Sequence, residues 1–204
     1  MNERLATILA AGCSSRMGTL KQLLPLNDIP VLQHVIEKIL VHPFYKIQVI
    51  VGYEAWKIKS SIAIDDSRIE WIYNPHYEQG LSTSFLTAFH SLSTSNSAVM
   101  FFLGDQPFID SRVVSSIFQK ALVVLNQTTD PFVIRPVLDK KPGHPVLFGH
   151  FQSLDLTLVK GDSGGKELIN SIRNKILIPL TSSSSFFDID TPEDYKRARR
   201  QIRL

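Results

Sequence analysis

The first apolar run of the chain leads directly into a loop of small residues: Leu5-Ala-Thr-Ile-Leu-Ala-Ala-Gly-Cys-Ser-Ser-Arg-Met-Gly18. Every residue from Leu5 to Ala10 is apolar or β-branched, which predicts a buried strand. The apolar run has only about seven residues and follows a segment with one arginine beside one acid, so it is a poor secretory leader. The stretch therefore predicts the first strand of an α/β fold and the turn that leaves it.

Outside this stretch, short apolar runs alternate with segments whose apolar residues recur at the helical period. This alternation predicts one Rossmann-like α/β domain, residues 1–204, with a mostly parallel sheet flanked by helices. A last helix should begin after Thr191, because threonine caps helices, Pro192 suits the first helical position and two acids follow. The predicted strands are 5–10, 47–51, 69–73, 99–103, 132–135 and 146–148, with a further element at 176–180; the other predicted helices are 31–41, 55–64, 82–92, 111–125 and 164–172.

The composition is that of an ordinary globular protein. Of the 204 residues, 44% are hydrophobic and 20% are charged, which excludes a disordered or fibrous chain. No apolar run approaches the roughly 18 residues of a membrane span, so no membrane partner is expected. Cys13 is the only cysteine, so no intramolecular disulfide can form, which favours a reducing compartment, and we expect a cytoplasmic protein.

The basic residues are concentrated at the end of the chain. Lysine and arginine total 22 against 19 acids, and five of the basic residues lie between Lys196 and Arg203. The remainder is slightly acidic, so a general nucleic-acid surface is not expected. We expect the tail to be a solvated face of the last helix; a contact through residues 199–203 with a partner enzyme is the alternative.

The loop after the first predicted strand has the properties of an anion site. Gly12 lets the backbone approach a ligand closely, successive N–H groups can face phosphate oxygens, and Arg16 and Lys21 add positive charge. The loop contains neither Gly-x-x-x-x-Gly-Lys-Ser/Thr nor Gly-x-Gly-x-x-Gly, which disfavours a P-loop kinase and a dinucleotide-binding enzyme. A tight turn with incidental basic residues is the structural alternative.

Acidic residues follow a second predicted strand at the same edge of the sheet. Asp105 comes directly after the strand ending at Leu103, where a carboxylate is well placed to hold Mg²⁺ together with substrate phosphate oxygens. Capping of the helix near Ser111 is the alternative role for Asp105. Asp188 and Asp190 project from one side of the chain if that segment is extended, and either could complete the metal site.

Several segments, in chain order, carry a resemblance to a known family. They are residues 9–18 with Lys21 and residues 23–26, then Gly104-Asp-Gln-Pro107, Gly143-His-Pro-Val-Leu-Phe148, Gly161-Asp-Ser-Gly-Gly165 and Asp188-Ile-Asp-Thr-Pro-Glu-Asp194. Together they resemble the molybdenum cofactor nucleotidyltransferases of the MobA-like NTP transferase family. The opening Leu9-Ala-Ala-Gly-Cys-Ser14 is most similar to the cytidylyltransferase branch, since guanylyltransferase relatives tend to carry Leu-Ala-Gly-Gly. Residues 74–84 also resemble that family's middle motif.

The resemblance implies a reaction and its participants. The enzyme would bind CTP and Mg²⁺, transfer CMP to the phosphate of molybdenum-loaded molybdopterin and release pyrophosphate, and a molybdenum hydroxylase could receive the product. Such a reaction brings two anions together, so the protein mainly has to neutralise and align them. The catalytic assignments are Lys21 at the α-phosphate, Arg16 at the β- and γ-phosphates, and Asp105 with Asp190 at Mg²⁺; relatives often carry Asn in the last motif, so the choice between Asp190 and Asp188 stays open.

The remaining assignments divide the substrates between two regions. We expect the nucleotide to contact Gly12, the backbone of Cys13, Ser14 and Ser15, the small edge formed by Leu9, Ala10 and Ala11, and also Gly80 and Ser82. The Ala11 methyl is predicted to fill the room that a purine would need. The acceptor is expected at His144, Gly161, Asp162 and Gly164, although His144 could equally be an ordinary turn residue.

Two other functions are compatible with these motifs. The first is a nucleotidyltransferase that acts on a sugar phosphate or polyol phosphate, because the opening loop and the aspartate recur in such enzymes. The second is a non-catalytic carrier that delivers the molybdenum cofactor; Lys21, Arg16 and Asp105 argue against it. Cys13 is expected to be a spectator, and both Trp56 and Trp71 are expected to pack in the core.

Overall fold

The computed structural model describes residues 3–93, 95–161, 164–182 and 184–202. Its centre is an eight-stranded sheet with the order β10-β7-β9-β6-β1-β4-β5, in which β8 pairs with β7; β2 and β3 form a separate hairpin. The strands are β1 (Glu3–Leu9), β2 (Pro25–Leu26), β3 (Ile29–Pro30), β4 (Lys46–Val51), β5 (Ile69–Tyr73), β6 (Asn96–Leu103), β7 (Phe132–Leu138), β8 (Lys141–Pro142), β9 (Val146–Gly149) and β10 (Asn174–Pro179). The helices are α1 (Val31–Leu40), α2 (Ala55–Ser61), α3 (Leu81–His90), α4 (Ser111–Leu125), α5 (Lys166–Ser171) and α6 (Pro192–Gln201).

The order of the strands creates a crevice beside β1. From β1 the chain adds β4 and β5 on one side, and then crosses to place β6 on the other side, with β1 parallel to both β4 and β6. Strand β9 runs antiparallel to β6 and β7. The predicted single α/β domain with a mostly parallel sheet is therefore confirmed. In such sheets ligands bind at the carboxyl ends of the strands where the order reverses, which here is between β1 and β6.

The sheet is buried on both faces because its strands alternate between two apolar layers. Ala6 and Ile8 of β1 belong to the layer covered by α1 and α4, whereas Leu5 and Leu9 belong to the layer covered by α3 and α5. Phe101 and Phe102, which point to opposite faces of β6, are both 0% exposed, as expected for the centre of such a sheet.

The last helix is fixed at its beginning and solvated along its outer side. Thr191 caps the helix and Pro192 takes the first helical position, as predicted, and Asp194 completes a capping box with Thr191. Buried Ile189 and Ala198 pack against the β2–β3 hairpin through Leu26. Lys196 and Arg197 pair with acids one turn earlier in the same helix, which is typical of a solvated face; Arg203 lies outside the described residues.

The sequence-based prediction for Trp56 is wrong. Its side chain is 82% exposed, because Ile58 is the buried residue of α2 and Trp56 lies on the outer side of that short helix. Trp71 on β5 is half-buried and packs against the core, as predicted. Helix α4 has the predicted bounds, α3 begins one residue earlier than predicted, and other helix ends fall up to three residues short; the β2–β3 hairpin and β8 were not predicted. No helix within the described ranges is long and apolar enough to cross a bilayer.

Candidate active site

The ends of β1 and β6 lie against each other at the crevice. The Gly104 N–H donates to the Leu9 carbonyl oxygen at 2.9 Å. A Cβ at Gly104 would lie 2.9 Å from the Ala10 Cβ and 3.1 Å from the Leu9 carbonyl oxygen, so this position has no room for a side chain. The absence of a side chain at Gly104 lets Asp105 emerge directly beside the loop that follows β1.

Lys21, Asp105 and Asp190 converge on one point. The Lys21 Nζ lies 2.5 Å from Asp105 Oδ2 and 2.6 Å from Asp190 Oδ1. Asp190 Oδ2 also accepts from Arg16 Nη1 at 3.3 Å, although the Arg16 side chain is 74% exposed. Lys21, Asp105 and Asp190 come from distant parts of the sequence. Together with the exposed Arg16 guanidinium, they meet at the predicted edge of the sheet.

A backbone hydrogen bond brings the two acidic segments together. The Ile189 N–H donates to the Asp105 main-chain carbonyl oxygen at 3.1 Å, and the fully buried Ile189 side chain anchors the segment in the apolar cluster beside α6. Asp188 lies on the other side of this contact, where its Oδ1 accepts from Gln106 Nε2 at 2.5 Å. Asp190, and not Asp188, is thus the acid that contacts Lys21.

The local charges perturb the protonation of this cluster. Burial alone would lower the pKa of Lys21, but Asp105 and Asp190 outweigh it, so the Lys21 pKa lies above its ordinary value and the ammonium stays charged. Burial, reinforced by the charge of Asp105, raises the pKa of Asp188 to about 6. Lys21 is therefore shared by two of the three carboxyl groups, Asp190 also pairs with exposed Arg16, and the surplus of acids favours additional positive charge.

The acidic residues fit a divalent cation that is bound partly by its substrate. Asp105 Oδ1 is buried and has no hydrogen-bond partner within the described chain, and Asp105 and Asp190 both direct an oxygen to the same nitrogen. No group of three metal-binding side chains occurs among the residues that the structure describes. Two carboxylates with further oxygens from phosphate and water are the usual ligands of Mg²⁺.

Two cavities meet at this cluster. The first, of about 370 Å³, has an apolar wall that includes Leu9, Ala10, Ala11, Leu81 and Leu103. The second, of about 250 Å³, is lined mainly by residues with polar or charged side chains: Gly12, Cys13, Ser14, Ser15, Arg16, Lys21 and Asp190. Gly12, Cys13 and Lys21 line both, so the two cavities share one border.

Gly80 and Ser82, the predicted nucleotide-binding residues at the start of α3, lie at different depths. Gly80 lines the first cavity with a φ of +102°, a conformation that favours glycine. Ser82 is buried, and its hydroxyl donates to the Gly164 carbonyl oxygen at 3.3 Å instead of facing the cavity. The loop before α3 is organised by fully buried Asn74, whose side chain donates to the Thr83 and Ser84 hydroxyls.

The predicted acceptor residues are only partly brought together. Gly164 packs beneath Leu81, where a Cβ would lie 3.0 Å from Leu81 Cδ2, so it adjoins the first cavity. His144 precedes β9, whose residue Val146 pairs with Phe101 near the end of β6. Gly161 is exposed and does not line the two cavities, and Asp162 lies outside the described residues.

His144 is kept neutral by its surroundings. Burial, together with the nearby positive charge of Arg135, lowers the pKa of His144 to about 3. Arg135 Nε and Nη2 donate to the Gly143 carbonyl oxygen at 3.3 and 3.2 Å, and no ion pair joins Arg135 to an acid in the described ranges. Arg135 was not identified from the sequence, because a basic residue in an apolar strand gives no indication of its partners.

Gln22 is the other site residue that the sequence reasoning missed. Its amide is 2% exposed and bonds to three groups of the loop after β1. Its position directly after Lys21 was a weak signal, since a glutamine next to a site lysine is more often solvent-exposed. Cys13, in contrast, is exposed with a free thiol and lines both cavities; its role as a spectator stays a prediction.

The chain is similar to known nucleotidyltransferases over most of its length. A family model described as the MobA-like NTP transferase domain matches residues 6–176. The molybdenum cofactor cytidylyltransferase of Escherichia coli (strain K12) is 29% identical over 205 residues, which cover 95% of this chain and 94% of that protein. The probable molybdenum cofactor guanylyltransferase of Natronomonas pharaonis is 22% identical and is covered in full.

Solved structures give the same result. The crystal structure of the Mycobacterium tuberculosis Rv0371c homologue from Mycobacterium sp. strain JC1 has a TM-score of 0.79 and 27% identity, covering 98% of this chain and 97% of that one. A nucleotidyl transferase from Methanothermobacter thermautotrophicus, at 20% identity and a TM-score of 0.78, shares the fold. The chain belongs to the MobA-like NTP transferase family and is a nucleotidyltransferase.

Proposed function

We propose that the protein transfers CMP from CTP to the phosphate of molybdenum-loaded molybdopterin and releases pyrophosphate. The observation that carries the proposal is the Lys21 ammonium, held between Asp105 and Asp190 where the two cavities meet. The choice of CTP and of the pterin acceptor is supported by the similarity to the Escherichia coli molybdenum cofactor cytidylyltransferase.

The two cavities suit the two halves of a nucleoside triphosphate. Cytosine and ribose would occupy the first cavity, against the small side chains of Ala10 and Ala11 and beside Gly80. The triphosphate would extend into the second cavity, where the backbone from Gly12 to Ser15 and the side chain of Arg16 supply donors and positive charge. In this arrangement the α-phosphate lies at the shared border, next to Lys21.

The chemical step moves charge without a covalent enzyme intermediate. An oxygen of the acceptor phosphate forms a bond to the α-phosphorus, and the bond from that phosphorus to the bridging oxygen breaks, so pyrophosphate leaves with the electron pair. Lys21 would stabilise the charge that builds up at the α-phosphate, and Arg16 the charge on the leaving pyrophosphate. A pair of unit charges about 4 Å apart is worth roughly 4 kcal/mol at an effective dielectric constant of 20.

Asp105 and Asp190 would hold Mg²⁺, which supplies positive charge to the phosphate oxygens when it is bound. Their second role concerns Lys21 itself. While both carboxylates hold the ammonium, Lys21 is kept charged and directed towards the border of the cavities. The aspartates thus orient the cation that the nucleotide has to meet.

The acceptor would approach from the side of His144 and Gly164, with Gly161 and Asp162 assigned to the same region. A neutral His144 can offer one donor and one acceptor to a polar ring system such as a pterin. Arg135 lies beside it as a positive charge for an acidic ligand. Recognition of the molybdenum-bearing group is thereby separated from recognition of the triphosphate.

Preference for cytosine is assigned to Ala11, whose methyl group would occupy space that a purine needs. Ala11→Gly should therefore raise kcat/KM for GTP relative to CTP. Turnover of CTP and GTP by the wild type and by this variant tests the assignment. An unchanged preference for CTP over GTP in the variant would refute the role of Ala11.

The test of the whole proposal is a matrix of nucleotides and acceptors. Pyrophosphate release is measured with each of the four nucleoside triphosphates in turn, against molybdenum-loaded molybdopterin, a sugar phosphate and a polyol phosphate, all with Mg²⁺. Fast release with CTP and the pterin is expected, and Asp105→Asn should abolish it. Turnover with only a sugar or polyol phosphate would show that this phosphate, and not the pterin, is the acceptor. Tight pterin binding without any pyrophosphate release would show that the protein is a carrier.

A further inference from the structure

The amide of Gln22 lies beneath the loop that follows β1 and uses all of its hydrogen-bonding groups there. Gln22 Nε2 donates to the main-chain carbonyl oxygens of Ala10 and Gly12, both at 3.0 Å. Gln22 Oε1 accepts from the Ser14 hydroxyl at 3.2 Å, and that hydroxyl oxygen accepts from the Lys21 N–H at 3.2 Å. The buried Gln22 side chain therefore bonds to Ala10, Gly12 and Ser14 of the loop, and Ser14 in turn bonds to the backbone of Lys21.

These bonds fix the direction of the peptide groups in the loop. In a planar trans peptide the carbonyl and the N–H of the next residue point in opposite directions. Since the Ala10 and Gly12 carbonyls point to Gln22, the N–H groups of Ala11 and Cys13 point away from it. The Ala11 carbonyl is held separately, because it accepts from the Tyr53 N–H at 3.2 Å.

The N–H groups at the start of this loop have no partner among the residues that the structure describes. Those of Ala11, Gly12 and Cys13 donate to no residue in the part of the chain that the structure describes. All three residues line the first cavity, and Gly12 and Cys13 also line the second. Unpaired donors at a cavity wall are suited to an anionic or carbonyl-bearing ligand, and donors fixed in advance need no reorganisation when it binds.

We propose that Gln22 is a positioning residue: its amide holds the Ala10 and Gly12 carbonyls inward so that the loop presents its N–H groups to a diphosphate-bearing ligand. This inference rests on the proposed function only for the identity of the ligand, the CTP triphosphate. The same short turn, Lys21–Leu23, brings both Lys21 and Gln22 to the wall of the first cavity, where the Gln22 amide is already bonded to the loop carbonyls. Position and charge of the anion site are thus set by two adjacent residues.

The test compares anion binding with fold stability. Gln22→Met keeps the length of the side chain and removes the amide; its affinity for inorganic pyrophosphate and for CTP, both with Mg²⁺, is measured by isothermal titration calorimetry beside the wild type. Both affinities should fall about tenfold, the equivalent of roughly one charge-assisted hydrogen bond. Unaltered affinity in the folded variant would overturn the proposal.

Gln33→Met is the matched control. Gln33 is a second buried amide, on α1, where it accepts from the Ala63 N–H and donates to Glu37, and it lines neither cavity. Its substitution should lower the melting temperature without weakening pyrophosphate binding. If both variants lose stability and affinity in the same proportion, Gln22 is a packing residue and the inference is wrong.

Two further measurements keep the proposal testable if Gln22→Met does not fold. Gln22→Glu keeps the acceptor for Ser14 but places a carboxylate against two carbonyls, so it should bind pyrophosphate more weakly than the wild type; equal binding contradicts the proposal. In the wild type, the Ala11 and Cys13 amide signals in NMR spectra should shift on addition of pyrophosphate, and their invariance would refute it. Wild-type pyrophosphate binding without CTP turnover would reject the proposed function alone.

Discussion

At Lys21 a single ammonium contacts two carboxylates, and its removal should affect folding as well as catalysis. Lys21→Met leaves Asp105, whose side chain is only 17% exposed, without its cation. We expect a loss of about 1–3 kcal/mol in the free energy of unfolding at pH 7, since a mostly buried charged group is left unsatisfied. Nucleotidyl transfer should fall by at least about 10²-fold. Urea denaturation and pyrophosphate release measure the two effects.

The double variant Lys21→Met/Asp105→Asn separates these effects. Removing both charges should restore most of the lost stability, because no isolated charge remains, but it should restore no activity. A Lys21→Met protein as stable as the wild type would show that the pair of Lys21 and Asp105 contributes nothing to folding.

Two glycines of the site should respond to alanine in opposite ways. Around Gly12 an added Cβ meets nothing within 4 Å, whereas at Gly104 it meets Ala10 and the Leu9 carbonyl at 2.9 and 3.1 Å. Gly12→Ala should be neutral or stabilise the fold by up to about 1 kcal/mol while it raises KM for CTP. Gly104→Ala should destabilise the fold by about 1–3 kcal/mol. Thermal melts and CTP kinetics of both variants test the contrast.

His144 should remain neutral through the acidic range. Its pKa of about 3 lies below the ordinary 6.5, so between these values only the unfolded chain takes up this proton. The contribution of His144 to stability is therefore complete above pH 6.5 and is lost as the pH falls towards 3. Ring signals of His144 in NMR spectra should not titrate between pH 8 and 5. Arg135→Met should raise the pKa of His144, but not as far as 6.5, since burial lowers this pKa more than the charge of Arg135 does.

Individual site residues differ in how far a sequence can predict them. Asp105 was predicted because it directly follows a strand, Lys21 because it adds charge to the loop after β1, and Asp190 because it alternates with Asp188; the family resemblance supplied their roles. Gln22 and Arg135 were not, because their importance comes from partners distant along the chain or from the depth of burial. The direction of Asp188 towards Gln106 likewise depends on a single backbone contact, Ile189 to Asp105.

At the scale of elements, α6 connects helix capping to the site. Thr191 caps α6 and directly follows Asp190. Thr191→Ala should lower the free energy of unfolding by about 1 kcal/mol and, by loosening the segment before the helix, raise KM for CTP. Thr191→Ser keeps the cap and is the control. A destabilised Thr191→Ala protein with an unchanged KM would mean that Ile189 alone positions Asp190.

The elements themselves were largely predictable where periodicity was strong. The capping box of α6 and the strands β1, β4, β5 and β6 follow from local pattern and are present within a few residues of their predicted bounds. The β2–β3 hairpin was missed because its strands have two residues each, too few to show an alternating pattern. Trp56 was misplaced because a short helix with one buried residue carries almost no periodicity.

At the scale of the whole molecule, metal and nucleotide should stabilise the fold cooperatively. Without substrate, Lys21 Nζ already pairs with Asp105 and Asp190 at 2.5 and 2.6 Å, so Mg²⁺ alone has to compete with an ammonium for these carboxylates. A triphosphate offers Lys21 another partner and supplies oxygens to the metal. Each ligand should therefore strengthen the binding of the other, by thermodynamic linkage.

The prediction is measured as a shift in melting temperature. Mg²⁺ alone should shift it little, and CTP with Mg²⁺ should shift it by more than the separate shifts combined. At a hundred times Kd the linkage is worth about 2.7 kcal/mol, or about 5–11 °C for a chain of this length. In Asp190→Asn, Lys21 keeps only Asp105 and one metal ligand is lost, so the cooperative part of the shift should largely disappear. Simple additivity in the wild type would show that Lys21 does not exchange partners when the nucleotide binds.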